Sequence, residues 1–142
     1  LAQARQEGVA LFGSPAAAVL PPVAEQDVRR AIRDALPELL GSLEGDERNV
    51  ILTLARMWFT VSTGRFASKA AAAEWAAHRV SPDTASILDL ARGGYVGAIA
   101  DDWHQRRTEV LRVAHEHDDG EQSREDDQRE VAKLEDKRRN KE

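Results

Sequence analysis

The chain has 142 residues, enough for one domain with an appendage. Its hydrophobic fraction of 42% suffices for a core and excludes wholesale disorder, while 5% aromatic content and abundant alanine favour helices over sheets. A net charge of -5 argues against a nucleic-acid-binding surface, and the absence of cysteine excludes disulfides and thiolate metal sites and fits a cytoplasmic protein.

No apolar stretch reaches the length of a membrane span, and no basic start followed by an apolar run marks a signal peptide. The first residue is Leu1 rather than Met, which points to a fragment or a trimmed product. Residues 1–8 read as the end of a helix stopped by Gly8. Val9-Ala10-Leu11-Phe12-Gly13 reads as a short buried strand. A lone strand has no partner in an otherwise helical chain. It either pairs with something outside these residues or is only an extended apolar segment. Ser14-Pro15 and Pro21-Pro22 punctuate the stretch that follows.

A helix is predicted from about Glu25 to Leu40, with Val28, Ile32, Leu36, Leu39 and Leu40 as its apolar face and Pro37 kinking or restarting it. The next begins at Gly45-Asp46-Glu47-Arg48-Asn49 and runs through Val50 to Ser62. Asp46 is its candidate N-cap and Gly64 its C-terminal stop. A further helix starts near Ser68 and reaches about Arg79, with Trp75 inward. Ser81-Pro82-Asp83 opens another, with Ile87, Leu88, Leu90, Ala91 and Tyr95 as its apolar set, weakened late by Gly93-Gly94. A last helix is expected over roughly Asp101 to His115. From Glu116 the chain is nearly all charged or polar, which suits a solvated tail and cannot build a core.

The helix after Gly45 carries the chemistry. Asp46, Asn49, Thr53, Arg56 and Thr60 follow at steps of three, four, three and four and share one face of an otherwise apolar rod. Asp46 reads either as a cap or as a ligand. Arg56, flanked by apolar residues, either pairs with a carboxylate or faces an anion, for which its planar fork suits phosphate. Lys69 at the start of the next helix would, with free amide groups, make a phosphate clamp. It would meet Arg56 if the two helices pack antiparallel across Thr63-Gly64-Arg65. The four histidines, His78, His104, His115 and His117, have no metal-binding spacing. No phosphate-binding glycine loop and no Ser/His/Asp set is present, so no catalytic residue and no metal ligand is assigned.

The residues Glu25-Gln26-Asp27, Gly45 through Arg56, Thr63-Gly64, Lys69 and Ala73-Glu74-Trp75-Ala76 resemble the carboxy-terminal domain of aminoglycoside nucleotidyltransferases, the spectinomycin/streptomycin adenylyltransferases of antibiotic resistance. The resemblance spans about residues 1–115 and is strongest from 45 to 76. It implies an all-α bundle of about five helices with a short strand remnant at its start. Residues 1–21 would end a catalytic nucleotidyltransferase domain, 22–117 form the substrate-binding bundle, and 118–142 a charged tail. It further implies ATP and Mg2+ as cofactors, an aminoglycoside or aminocyclitol antibiotic as substrate, and an amino-terminal domain that supplies the magnesium ligands and the base. No nucleic acid and no membrane enter the scheme. By matching positions, Asp46 contacts the drug's amino and hydroxyl groups, with Asn49 one turn on. Arg56 and Lys69 hold the ATP phosphates, and Tyr95, in Ala91-Arg92-Gly93-Gly94-Tyr95, lies at the nucleotide side.

Members acting on both drugs carry a Trp and an Asp just upstream of the Gly-Asp-Glu-Arg-Asn motif, where this chain has Pro37 and Ser42. Neither offers an aromatic wall or a carboxylate, so spectinomycin is expected over streptomycin. Ser68 and Ala70 also depart from the family pattern around Lys69. Alone, the chain is expected to be inactive. The rival reading is a free-standing, non-catalytic helical binding module.

Overall fold

The computed structural model describes residues 1–104, 106 and 108–113. Six helices follow in chain order: α1 Ala2–Glu7, α2 Ala16–Val19, α3 Glu25–Gly41, α4 Glu47–Thr63, α5 Lys69–Ala77 and α6 Pro82–Tyr95. A seventh helical stretch, α7, covers 108–113. Among the described residues there is no strand, and the fold is an all-α bundle.

The helix ends follow from local chemistry. Gly64 adopts φ 67, the left-handed conformation that closes α4, and its N–H reaches the Thr60 carbonyl at 2.8 Å. The Ser68 hydroxyl accepts from the Ala71 N–H and caps α5. The Ser81 hydroxyl accepts from Thr84 and caps α6, with Pro82 at the first helical position, where its missing N–H has no cost.

Helices α4, α5 and α6 pack against one another. Ile51, Leu52 and Ala55 of α4 meet Ala72, Ala73 and Ala76 of α5 and Ile87, Leu88 and Ala91 of α6, with Val110 and Val113 of α7 closing the cluster. The three buried alanines let α5 lie close to both neighbours. Each large aliphatic side chain buried here contributes roughly 1.5–3 kcal/mol. A second cluster joins Val50 and Leu54 to Leu36, Leu39, Leu40 and Leu43. Helix α4 is therefore central, as its apolar circumference requires. At its far end Trp75 receives Trp58 and Phe59 edge-on, with ring centroids 4.9 and 5.3 Å away, and Arg79 stacks on it at 4.2 Å.

Three expectations change. The segment Val9–Gly13 is not a buried strand: Val9, Leu11 and Phe12 are exposed and the chain bends over 11–14. A strand needs a neighbour for its N–H and C=O groups, and no described residue supplies one. Helix α3 has the expected extent and is continuous through Pro37, with Leu36, Leu39 and Leu40 seating both sides of the proline on α4. A short α2 follows Pro15 where only punctuation was expected. The last helix is not formed at Asp101. The backbone N–H of His104 donates to the Asp102 carboxylate at 3.0 Å, a turn that competes with helix, and among the described residues helix resumes at 108. The remainder of that helix to His115 and the charged tail lie outside the described residues.

Candidate functional site

The site begins where the α3–α4 loop becomes helix. Gly45 takes φ 89, and its N–H donates to the Glu47 carboxylate at 3.1 Å. Asp46 follows at the N-cap position, and its backbone carbonyl accepts the first helical bond from Val50 at 3.0 Å. Its side chain caps no backbone group. Instead the carboxylate accepts from Asn49 Nδ2 at 2.9 Å. It thus stands exposed at the positive end of α4, where an anion is favoured.

Asn49 turns its other face across to α5. Its Oδ1 accepts from Lys69 Nζ, so Asp46, Asn49 and Lys69 form one hydrogen-bonded line over two helices. The Lys69 ammonium also lies 5.8 Å from the ring centroid of Tyr95, the last residue of α6. Tyr95 is 52% exposed, so its reading as a core residue is wrong. Four of the five residues singled out in the sequence are therefore brought together by the ends of three helices.

Arg56, the fifth, has a different neighbour. Its Nη2 donates to Gln3 Oε1 of α1 at 3.2 Å, a neutral amide rather than a carboxylate. Gln6 of the same helix accepts from the Phe66 N–H at 3.3 Å, so α1 lies along the start of the α4–α5 connection. Arg56 and Lys69 have different partners, although both line up with Asn49. Thr53 between them is spent locally, donating to the Asn49 carbonyl at 2.7 Å.

A set of residues that the sequence did not disclose supports this arrangement. Asp101 accepts from Arg48 at 3.1 Å and from the Trp103 indole at 2.8 Å, and its side chain is only 13% exposed. Arg48 also reaches the Gly94 carbonyl at 3.3 Å. A Cβ on Gly94 would come within 2.5 Å of the Asp101 carboxyl carbon. Gly94 is thus small because a carboxylate lies against it, and the contact ties the end of α6, next to Tyr95, to α4, next to Asn49. The Gly93-Gly94 pair was the available signal, although it reads more simply as a helix breaker.

Beside Gly45 and Glu47 opens a cavity of about 690 Å³, walled by Leu40, Leu43, Trp103 and Leu111 and bordered by Glu44, Glu47, Asp101 and Asp102. The His104 backbone N–H, and secondarily its ring, hold the Asp102 carboxyl below its ordinary range. Among the described residues no three His, Asp or Glu side chains converge as a group that could hold a metal ion.

The family model described as aminoglycoside adenylyltransferase, C-terminal domain, matches residues 18–119. The chain belongs to this family. It is 52% identical over 103 residues to a spectinomycin 9-adenylyltransferase of Staphylococcus aureus, covering 72% of this chain and 40% of the relative. To an aminoglycoside (3'') (9) adenylyltransferase of Escherichia coli it is 36% identical over 117 residues, covering 81% of this chain and 44% of the relative. The crystal structure of a spectinomycin adenyltransferase from Enterococcus faecialis, with ATP and spectinomycin, superimposes with a TM-score of 0.72 at 28% identity. That match covers 82% of this chain and 48% of the other. The adenylyltransferase C-terminal domain seen here spans about two fifths of the length of the curated relatives it matches.

Proposed function

We propose that this chain is the substrate- and phosphate-binding domain of an ATP-dependent aminoglycoside O-adenylyltransferase, a cytoplasmic antibiotic-resistance enzyme that favours spectinomycin over streptomycin. The observation that carries the reading is the line Asp46–Asn49–Lys69 with Tyr95 against its cationic end. An acceptor for a cationic drug and a donor for an anionic nucleotide stand at its two ends, as a transfer between those two ligands requires. The relatives' printed activities and the ATP and spectinomycin of the Enterococcus faecialis structure support the assignment of ligands.

Asp46 orients the drug by charge-assisted hydrogen bonds, with Asn49 behind it. The acidic cavity border next to Asp46 adds a negative field that suits a cation. Lys69 and Arg56 offset charge on the nucleotide phosphates, and Tyr95 lies beside the nucleotide. A drug hydroxyl attacks the α-phosphorus of ATP, forming the new P–O bond as the bond to pyrophosphate breaks. The base that takes the hydroxyl proton, and the ligands of Mg2+, belong to an amino-terminal nucleotidyltransferase domain. Arg56 gives one of its five N–H donors to Gln3, a neutral partner, and the others can turn to phosphate oxygens. The exposed Val9, Leu11 and Phe12 are apolar side chains that such a domain would cover.

The test is calorimetry on the protein expressed from its complete reading frame. In the Lys69→Ala, Arg56→Ala double variant, ATP affinity should fall at least about tenfold, the scale of a charge-assisted contact. Spectinomycin should bind the unaltered protein, and streptomycin much more weakly. Unchanged ATP binding in the double variant would make the two cations structural and remove them from the proposal. Equal affinity for the two drugs would overturn the spectinomycin preference.

A further inference from the structure

Asn49 differs in kind from its neighbours in the line. An ionised Asp only accepts hydrogen bonds and a Lys ammonium only donates, so the side chain between them must do both. The amide orientation is fixed by the same logic. Turning it over would set the Asn49 NH2 against the Lys69 ammonium and its oxygen against the Asp46 carboxylate. The backbone of Asn49 is held too: its carbonyl accepts from Thr53 at 2.7 Å, and Val50 beside it is wholly buried. A half-buried, anchored amide therefore meets an exposed carboxylate and a half-buried ammonium from different helices.

We propose that Asn49 is a positioning residue, whose amide aims the Lys69 ammonium and the Asp46 carboxylate and so serves nucleotide and drug together. Lys69 uses one of its three N–H donors on Asn49 and keeps two for phosphate oxygens. Asp46 keeps its remaining lone pairs for the drug. A free lysine stem loses much rotational freedom when it settles on a phosphate, and Asn49, with Tyr95 alongside, removes part of that freedom in advance. The inference rests on the functional reading above, and it differs from it by predicting that a residue on the drug side governs nucleotide affinity.

The experiment is a double-mutant cycle of Asn49→Ala and Lys69→Ala, read as ATP affinity in the presence of magnesium on the protein from its complete reading frame. Alanine is the best helix former, so α4 should remain folded. Asn49→Ala should weaken ATP about tenfold in the unaltered background, the scale of one hydrogen bond to a charged group, and less than about twofold in the Lys69→Ala background. An Asn49 that merely touches the drug leaves ATP affinity unchanged, and one that merely supports the fold lowers it equally in both backgrounds. Either result overturns the proposal. Failure of the unaltered protein to bind ATP or spectinomycin would instead strike the functional reading. The Lys69 ammonium resonance of protein labelled with nitrogen-15 lysine then decides the contact alone. It should exchange slowly with water, and faster in Asn49→Ala; equal exchange would overturn the positioning role.

Discussion

At the level of single residues, the contacts that matter most join positions far apart in the chain. Asp46, Asn49 and Arg56 were legible because a helical period aligns them, and Lys69 because a serine cap precedes it. Asp101 was not, because nothing local marks it. Its value comes from Arg48, 53 residues earlier, and from the space left by Gly94. Two substitutions test this arrangement. Asp101→Ala leaves the Trp103 indole without its acceptor and Arg48 with the Gly94 carbonyl alone of the two, and should lower the unfolding free energy by about 1–3 kcal/mol. Gly94→Ala drives a methyl group into the same carboxylate and should cost a similar amount. The double variant should lose clearly less than the sum, because the methyl then meets no carboxylate. Urea denaturation measures all three, and strict additivity would show that Gly94 and Asp101 do not press on one another.

At the level of elements, the helices with strong punctuation were read almost to the residue. Ser68, Ser81-Pro82 and Gly64 each act through a hydrogen bond or a backbone conformation that is local, so local sequence contains it. Reading failed where a long-range choice decides. Asp101 to His104 was expected to open the last helix, yet its side chains are engaged by Arg48 and by a local turn. The closest packing is along α5, where Ala72, Ala73 and Ala76 have essentially no exposed surface. Ala76→Leu should therefore cost about 1–3 kcal/mol through overpacking, whereas Ala71→Leu on the exposed side should be nearly neutral. Thermal unfolding of the two variants separates these outcomes, and equal melting temperatures would mean that α5 is not held tightly between α4 and α6.

At the level of the whole molecule, the chain spans about two fifths of the length of the curated relatives it matches. On the proposed function, these 142 residues alone should form no adenylylated spectinomycin from ATP and magnesium, whereas the product of the complete reading frame should. Mass spectrometry of the drug decides it, and turnover by the 142 residues would place the reactive groups here after all. One feature of α4 sets a geometric constraint on such an enzyme. Asp46, at its cap, and Arg56 are ten positions apart, so the rise of an α-helix separates them by about 15 Å. That interval is a yardstick cut into a rigid rod: no side-chain exchange can lengthen or shorten it, and a single inserted residue between Asn49 and Arg56 would swing the guanidinium about 100° around the axis. On the proposed function, antibiotics of other sizes would be accommodated by the loops and side chains around the rod, with the backbone interval from Asp46 to Arg56 as the fixed dimension.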